Sequence, residues 1–260
     1  MPTPPKDEFT QFGIYETTAP QPLKTTAVET TLPLELRKDD RIVFIGNTLF
    51  ERAAQFPHFE SLLQLAHPSH QLVIRTLAWS ADEPGLMPRP ANFGDIHQHL
   101  AVQKADVIFA AFGFNESFGG PEKLADFRTR LTAFLRDLKT RAYNGTSAAR
   151  IVLVSPIANE NIRALAPIPA ADLNNANLAL YTKAMAEVAA LEKIGFADVY
   201  APMLAAFADP KSDFTFNGVH LEDRGYAAFA EALFRATFRR EPPRAAQSAA
   251  SELRTAIADK

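Results

Sequence analysis

Short apolar runs alternate along the chain with longer segments that carry apolar residues at helical spacing. The clearest run, RIVFIGNTLFE at Arg41–Glu51, places four apolar residues directly before Gly46, Asn47 and Thr48. Such a run is typical of a strand that is buried on both faces, and the segment after it continues with helical spacing. The alternation therefore predicts a parallel sheet that helices cover on both sides.

Five strands and five helices, of which Gly94–Gln103 is short, fit this pattern. They predict a three-layer α/β/α domain with five parallel strands in the order 2-1-3-4-5 and a site at the C-terminal edge of the sheet. The predicted strands are Arg41–Gly46, Gln71–Leu77, Ala105–Ala111, Arg150–Ser155 and Ala197–Tyr200, and the predicted helices are Leu49–Leu65, Gly94–Gln103, Pro121–Tyr143, Leu173–Ile194 and Glu222–Phe238.

The composition limits the number of domains and the class of partner. The chain has 260 residues, of which 47% are hydrophobic, so it is long enough for one domain with a full core. We expect that domain at residues 37–240, after an extended arm at 1–36 and before a tail at 241–260 that is either frayed helix or disordered. A net charge of -3 gives no electrostatic reason to expect nucleic acid or an anionic membrane.

Neither the compartment nor the oligomeric state follows from the sequence. No apolar run is long enough to span a bilayer, so we expect a soluble protein without a membrane partner. The N-terminus lacks the regions of a signal peptide, and an exported or periplasmic protein is expected only if this end was trimmed. The absence of cysteine excludes thiol catalysis and thiolate metal sites. No pair of histidines has a carboxylate at the spacing of a metal motif, so we expect neither a metal nor another cofactor.

Three predicted strand ends carry polar residues at the same edge of the sheet. They are the turn at Asn47 and Thr48, the loop at Ser80–Glu83 and the turn at Gly113–Glu116, and His220 follows in the loop before the last helix. Each of these features alone is explained by an ordinary turn, a helix cap or a loop histidine. Together they place a hydroxyl, amides and an imidazole at one edge of the predicted sheet.

The order of these blocks resembles the SGNH, or GDSL, hydrolase superfamily over about Arg41–Phe238. The resemblance implies a flavodoxin-like fold and the cleavage of esters of acylated sugars, lipids and other small substrates. The family's G-D-S block is matched by Gly46, Asn47 and Thr48, which places Thr48 where the family has its serine nucleophile. The sequence is also similar to the SGNH-type domains at the N-terminal end of large multidomain proteins of planctomycete-like bacteria. This similarity implies an exported, carbohydrate-processing context.

Two further blocks supply the implied oxyanion hole. The family's G-x-N-D block is matched at residues 113–116, where Asn115 takes the place of the oxyanion-hole amide. The best match for the family's oxyanion glycine is Ala81, and the backbone N–H of Thr48 is the third implied donor. A backbone N–H works from alanine as well as from glycine if the loop conformation accommodates a Cβ. Residues expected to line the pocket are Asn47, Trp79, Gly113 and Phe114.

The last family block, D-x-x-H, is matched at residues 217–220. The resemblance implies that His220 is the general base and that Asn217 stands where the family has its acid. An amide oxygen can accept a hydrogen bond from the imidazole, but it brings no charge, and the same exchange in a serine protease lowers turnover about 10⁴-fold. Carboxylates that could act instead are Asp213, Asp82 and Glu116.

Two departures from the family pattern leave two functions open. The methyl group of Thr48 stiffens its side chain and crowds the approach of an acyl carbon, and Asn217 lacks the charge of the family's acid. We therefore favour a slow hydrolase that acts on ester groups of small or carbohydrate substrates. The alternative is a catalytically inactive SGNH-fold module that binds an acylated sugar or glycan. A structural role in a larger assembly is a third interpretation.

Overall fold

The computed structural model of the chain describes residues 15–162, 171–209, 213–244 and 247–259. Its centre is a sheet of five strands, β1 to β5, at Arg41–Gly46, Val73–Thr76, Val107–Ala111, Arg150–Val154 and Gly195–Ala197. The strands lie in the order β2-β1-β3-β4-β5, and every neighbouring pair is parallel. The predicted α/β/α class and the strand order 2-1-3-4-5 are confirmed.

Helices cover both faces of this sheet. In the described residues they are α1 Thr48–Ala53, α2 His58–Ala66, α3 Ile96–Gln103, α4 Phe114–Ser117, α5 Leu124–Leu138, α6 Ala171–Glu192, α7 Tyr200–Phe207, α8 Asp223–Phe238 and α9 Gln247–Ala258. A 3-10 turn at Pro121–Lys123 precedes α5. None of the described helices combines the length and apolarity that crossing a bilayer requires.

The unbroken apolar runs are explained by two cores, one on each side of the sheet. Along β1, Ile42 and Phe44 belong to the core that includes α2 and α8, whereas Val43 and Ile45 belong to the core that includes α5 and α6. Successive side chains of a strand point to opposite faces, so a strand between two helical layers has no polar face. Each such large side chain contributes roughly 1.5–3 kcal/mol by its burial.

The predicted helix at 49–65 is two helices rather than one. Helix α1 ends at Ala53 and α2 begins at His58, directly after Pro57. Proline disfavours helical backbone in the residue before it and cannot donate a helical hydrogen bond. The apolar spacing continued across this break, which is why the sequence pattern did not show it.

Two other predicted boundaries are wrong. The helix predicted to reach Tyr143 ends at Leu138, because Arg141–Ala142 pairs with Leu23–Lys24 as a short antiparallel ribbon. Strand β5 lies two residues earlier than predicted. The last residue of the predicted strand, Tyr200, instead begins α7, and the Asp198 side chain accepts the N–H of Tyr200 at 2.9 Å.

The two chain ends are only partly described. Residues 1–14 of the predicted arm, and residues 245, 246 and 260 of the predicted tail, lie outside the described residues. Leu23–Lys24 in the arm forms one strand of the ribbon, and α9 lies in the tail. The predicted division into arm, domain and tail stays a prediction.

Strands β1 and β3 end side by side, and this fixes the geometry of the site. Gly46 has a φ of +118°, and a Cβ at this position would lie 2.1 Å from the carbonyl oxygen of Ala111. Only glycine accommodates both the backbone conformation and the close approach of the two strands. The turns that follow β1 and β3 are therefore held next to each other.

Candidate active site

A cavity of about 280 Å³ lies at the C-terminal edge of the sheet, between the ends of β1 and β3 and the loop before α8. We call it the strand-end cavity. Thr48, Asn115 and His220, which are far apart in the sequence, all line it. The structure thus brings the predicted nucleophile, oxyanion donor and base into one place, while their chemical roles stay predictions. Other lining residues are Asn47, Arg52, Phe114, Pro156, Val219 and Tyr226.

Thr48 is held by the cap of helix α1. The Asn47 side chain is buried and its Oδ1 accepts the N–H of Leu49 at 3.2 Å, so Asn47 is the N-cap and Thr48 is the first helical residue. The backbone N–H of a first helical residue has no partner within the helix. The same turn is tied to α8, because the Tyr226 hydroxyl donates to the Leu49 carbonyl at 3.0 Å.

The hydroxyl of Thr48 is bonded to a residue outside the predicted triad. Thr48 Oγ1 donates to Ser80 Oγ at 3.2 Å, and Ser80 donates in turn to the carboxylate of Glu51. In the described part of the chain no hydrogen bond joins Thr48 to His220. Neither Ser80 nor Glu51 was predicted as a site residue, although Ser80 lies in the loop that the strand pattern placed at this edge.

Asn115 lines the cavity and carries an unused hydrogen-bond donor. Its Nδ2 is buried and has no hydrogen-bond partner among the described residues. A buried polar group without a partner costs about 1–3 kcal/mol, so the surrounding turn must hold it there against that cost. A fixed, unpaired amide donor beside a nucleophile is what the stabilisation of an oxyanion requires.

Glu116 supports the same turn instead of orienting His220. Its Oε2 accepts the N–H of Gly113 at 2.9 Å, and its Oε1 is buried without a partner among the described residues. Burial raises the pKa of Glu116 to about 7, and the nearby charge of Glu83 adds to this effect. The carboxyl group is therefore a helix cap whose charge titrates near neutrality.

Both polar atoms of the Asn217 amide lie within hydrogen-bond distance of His220 Nδ1. His220 Nδ1 lies 2.9 Å from Asn217 Nδ2 and 3.2 Å from Asn217 Oδ1. Oδ1 already accepts the backbone N–H groups of Val219 at 3.2 Å and of His220 at 2.9 Å. Because Oδ1 already accepts these two bonds, the shorter contact with Nδ2 favours the tautomer that carries its proton on Nε2. A general base in a triad needs the opposite tautomer.

The surroundings of His220 keep its ring neutral. Burial lowers the pKa of His220, and the positive charge of Arg52 lowers it further. The ring stacks on Phe216 with centroids 5.5 Å apart, and the Arg52 guanidinium lies 5.3 Å from the Phe216 centroid on the same aromatic residue. An imidazole that is neutral at pH 7 is in the charge state that either a base or a neutral donor requires.

A buried carboxylate that the sequence analysis missed fixes the histidine loop. Glu160 follows β4 and accepts the N–H groups of Phe214 at 2.8 Å and Thr215 at 2.7 Å, and the Thr215 hydroxyl at 2.6 Å. The Glu160 N–H donates to the Gly218 carbonyl at 2.8 Å. The signal for this role is the acidic residue in the otherwise uncharged stretch SPIANEN after β4.

Several predicted site residues lie elsewhere or are already paired. Asp82 is buried in a two-bond ion pair with Arg89, at 2.8 and 2.6 Å, so it does not reach His220. Asp213 makes no hydrogen bond to His220 in the described residues. Ala81 does not line the strand-end cavity, although its φ of +66° is one that glycine adopts at no steric cost.

A second cavity of about 710 Å³ lies beside the first, and we call it the aromatic cavity. Trp79, predicted to line the catalytic pocket, lines this one instead and is 48% exposed. The Arg89 guanidinium lies 4.5 Å from the Trp79 ring centroid, and Phe93 meets that ring edge-on at 6.3 Å. The backbone N–H of Trp79 donates to the Gly46 carbonyl at 2.9 Å, so the two cavities flank the turn after β1.

Gly113 also lies outside the lining of the strand-end cavity, but it shapes the turn that carries Asn115. Its φ is +92°, and a Cβ there would lie 2.7 Å from the sulfur of Met185. No group of three or more histidine, aspartate or glutamate side chains that could hold a metal ion occurs within the described ranges.

Comparison with models of protein families matches residues 46–228 to the GDSL-like lipase/acylhydrolase family. The chain belongs to this family. The match covers the turn at Thr48, the turn at Asn115 and the loop at His220, so all three walls of the strand-end cavity fall within it. A comparison with curated proteins gives no significant match.

Solved structures of similar fold include two carbohydrate esterases. A catalytic mutant of Axe2, an acetylxylan esterase from Geobacillus stearothermophilus, has a TM-score of 0.61 at 15% identity, with 81% of this chain and 100% of that chain covered. An acetyl xylan esterase, AlAXEase, has a TM-score of 0.57 at 15% identity, with 76% and 100% covered. At these identities the likeness shows the fold alone. Catalytic mutants of Axe2 replace a serine, an aspartate or a histidine by alanine.

Proposed function

We propose that this GDSL-like protein is a slow hydrolase of ester groups on small or carbohydrate substrates. The observation that carries the proposal is that Asn115, whose buried Nδ2 has no partner among the described residues, lines one cavity with Thr48 and His220. An unpaired donor costs stability unless a ligand satisfies it. An ester carbonyl in the strand-end cavity would supply the missing acceptor.

The proposed roles follow from the contacts. Thr48 attacks the carbonyl carbon, and Asn115 Nδ2, with the backbone N–H of Thr48, stabilises the oxygen that becomes negative. His220 can act as the base only when its proton moves to Nδ1, where Asn217 Oδ1 lies at 3.2 Å. The proton on Nε2 therefore predicts slow turnover, as does the methyl group of Thr48.

The two esterases of similar fold favour a carbohydrate ester as the substrate. The strand-end cavity has room for an acyl group, and the aromatic cavity beside it offers exposed ring faces to a sugar. Trp79 is the only tryptophan of the chain, so its fluorescence reports on this cavity alone.

Hydrolysis of p-nitrophenyl acetate tests the proposed reaction. Asn115→Ala should lower kcat about 10²- to 10³-fold, the range for the loss of one oxyanion-hole donor, and Thr48→Val should abolish turnover while keeping the shape of the side chain. Circular dichroism checks that both variants fold. If the parent is no faster than Thr48→Val, the strand-end cavity is not catalytic.

The second candidate function is an inactive module that binds an acylated sugar. It is favoured by one observation, that Thr48 bonds to Ser80 and not to His220. Titration with acetylated xylo-oligosaccharides, followed by Trp79 fluorescence and by acetate release, separates the two functions. A fluorescence change without acetate release over hours would support the module, whereas release that Asn115→Ala suppresses would support the hydrolase.

A further inference from the structure

Helix α1 carries a carboxylate that the predicted triad does not use. Glu51 lies three residues after Thr48, about one helical turn further on, and its carboxylate accepts a hydrogen bond from Ser80. Ser80 in turn accepts the hydroxyl hydrogen bond of Thr48 at 3.2 Å. The three side chains form one continuous series of hydrogen bonds that runs from the hydroxyl of Thr48 to a carboxylate.

His220 takes no part in this series. Among the described residues its ring nitrogens bond only to the amide of Asn217, and the shorter of the two contacts favours the imidazole proton on Nε2. In this tautomer Nε2 is a hydrogen-bond donor and does not accept a proton. A proton that leaves Thr48 therefore has a connected acceptor in Glu51 and none in His220.

We propose that Glu51, acting through Ser80, accepts the proton of Thr48 during ester cleavage; this inference rests on the proposed hydrolysis. Thr48 Oγ1 forms a bond to the carbonyl carbon while its proton passes to Ser80 Oγ. The original proton of Ser80 passes at the same time to Glu51. The electron pair of the carbonyl double bond moves onto its oxygen, where Asn115 Nδ2 stabilises it.

The remaining steps return every group to its starting state. When the intermediate collapses, the bond to the leaving alcohol breaks and the proton returns from Glu51 through Ser80 to the alcohol oxygen. A water molecule then attacks the ester on Thr48 and gives its proton to the same relay. Expulsion of Thr48 with that proton releases the acid, so one water is consumed and no other reactant is needed.

Kinetics of p-nitrophenyl acetate hydrolysis test the relay. Glu51→Gln and Ser80→Ala should each lower kcat about 10²-fold, within the range of general base catalysis, whereas His220→Ala should lower it less than about 10-fold. The matched control is Glu252→Gln, which makes the same change of charge at an exposed position of α9 and should leave the rate unchanged.

The pH profile distinguishes a proton acceptor from a residue that only supports the fold. The acid limb of kcat/KM should vanish in Glu51→Gln but persist in His220→Ala and in the conservative variant Glu51→Asp. The relay is overturned if Glu51→Gln keeps the acid limb and His220→Ala loses it.

The failure of the relay and the failure of the hydrolysis give different results. If the parent is faster than Thr48→Val but Glu51→Gln behaves like Glu252→Gln, the relay is wrong and the hydrolysis stands. If the parent and Thr48→Val have equal rates, the hydrolysis is absent and the relay is overturned with it.

Discussion

The turns after β1 and β3 have similar backbones, but the hydrogen bonds of their polar side chains differ. Each begins with a glycine of positive φ, Gly46 or Gly113, and each leads into a short helix. In the first turn Asn47 caps its own helix and the hydroxyl of Thr48 is bonded to Ser80. In the second turn a glutamate caps the backbone instead, and Nδ2 of Asn115 has no partner in the described part of the chain.

In the proposed reaction, this difference separates the residue that would bind the carbonyl oxygen from the residues that would react. The turn after β3 carries Asn115, whose Nδ2 has no partner among the described residues and is the proposed donor to a ligand oxygen. The turn after β1 and the histidine loop carry the changes from serine to Thr48 and from aspartate to Asn217. The cavity is therefore better prepared to hold a carbonyl group than to attack it.

The largest expected effect is a gain in kcat when the family's residues are restored at positions 217 and 48. Asn217→Asp returns a charged acceptor to His220 Nδ1, moves the imidazole proton away from Nε2, and should raise kcat by up to about 10⁴-fold. Thr48→Ser removes the methyl group and should add a smaller gain. Hydrolysis of p-nitrophenyl acetate by the parent, the single variants and the double variant measures both effects.

The outcome also decides between the two bases. A large gain in Asn217→Asp that His220→Ala abolishes means that the histidine can replace Glu51 once its tautomer is corrected. If the double variant is no faster than the parent, Thr48 and His220 do not form a reacting pair.

A second prediction concerns the carboxyl group that holds the turn after β3. The pKa of Glu116 is raised by burial from 4.5 to about 7. Its protonated form stabilises the fold below pH 4.5, and this contribution is lost as the pH rises through 7, by about 3 kcal/mol in total. Glu116→Gln keeps an acceptor for the Gly113 N–H and should remove this pH dependence.

Urea unfolding at several pH values between 4 and 8 measures that loss. Glu252→Gln removes an exposed charge, so its free energy of unfolding should depend on pH as that of the parent does. If the free energy of unfolding of Glu116→Gln depends on pH as that of the parent does, folding does not raise the pKa of Glu116.

The smallest expected effect is a difference in the free energy of unfolding between variants of Asn47 and Asn115. Asn47→Ala removes the cap of α1 and should lower the free energy of unfolding by about 0.5–2 kcal/mol. Asn115→Ala removes a buried donor that has no partner, and stability should stay within about 0.5 kcal/mol of the parent or rise. Thermal unfolding of both variants tests the contrast, and an equal loss in both would mean that Asn115 is a structural residue.

The fold followed from the sequence because burial on both faces leaves a visible pattern. The run before Gly46 and the run before Gly113 are apolar throughout, and a glycine ends each one. The break at Pro57 was missed because the apolar spacing continues through it. Strand β5 was misplaced because three residues carry too little pattern to fix a boundary.

Only part of the candidate site could be predicted from the sequence, for a different physical reason. Family order was enough to place Thr48, Asn115 and His220 at one cavity. Which atom of Asn217 faces the imidazole depends on two backbone N–H groups, and the bond from Ser80 to Glu51 depends on how a loop folds over α1. Residue types alone do not encode such orientations.

The branched carbon of Thr48 also affects what happens after the first half of the reaction. An acyl group on this residue would form the ester of a secondary alcohol, and the methyl group that hinders its formation would shield it equally from water. The lifetime of the acylated protein would then exceed that of a serine ester in the same cavity. A burst of p-nitrophenol equal to the protein concentration, with an acetyl group detected on Thr48 by mass spectrometry, would mark a protein that reacts once and retains the acyl group.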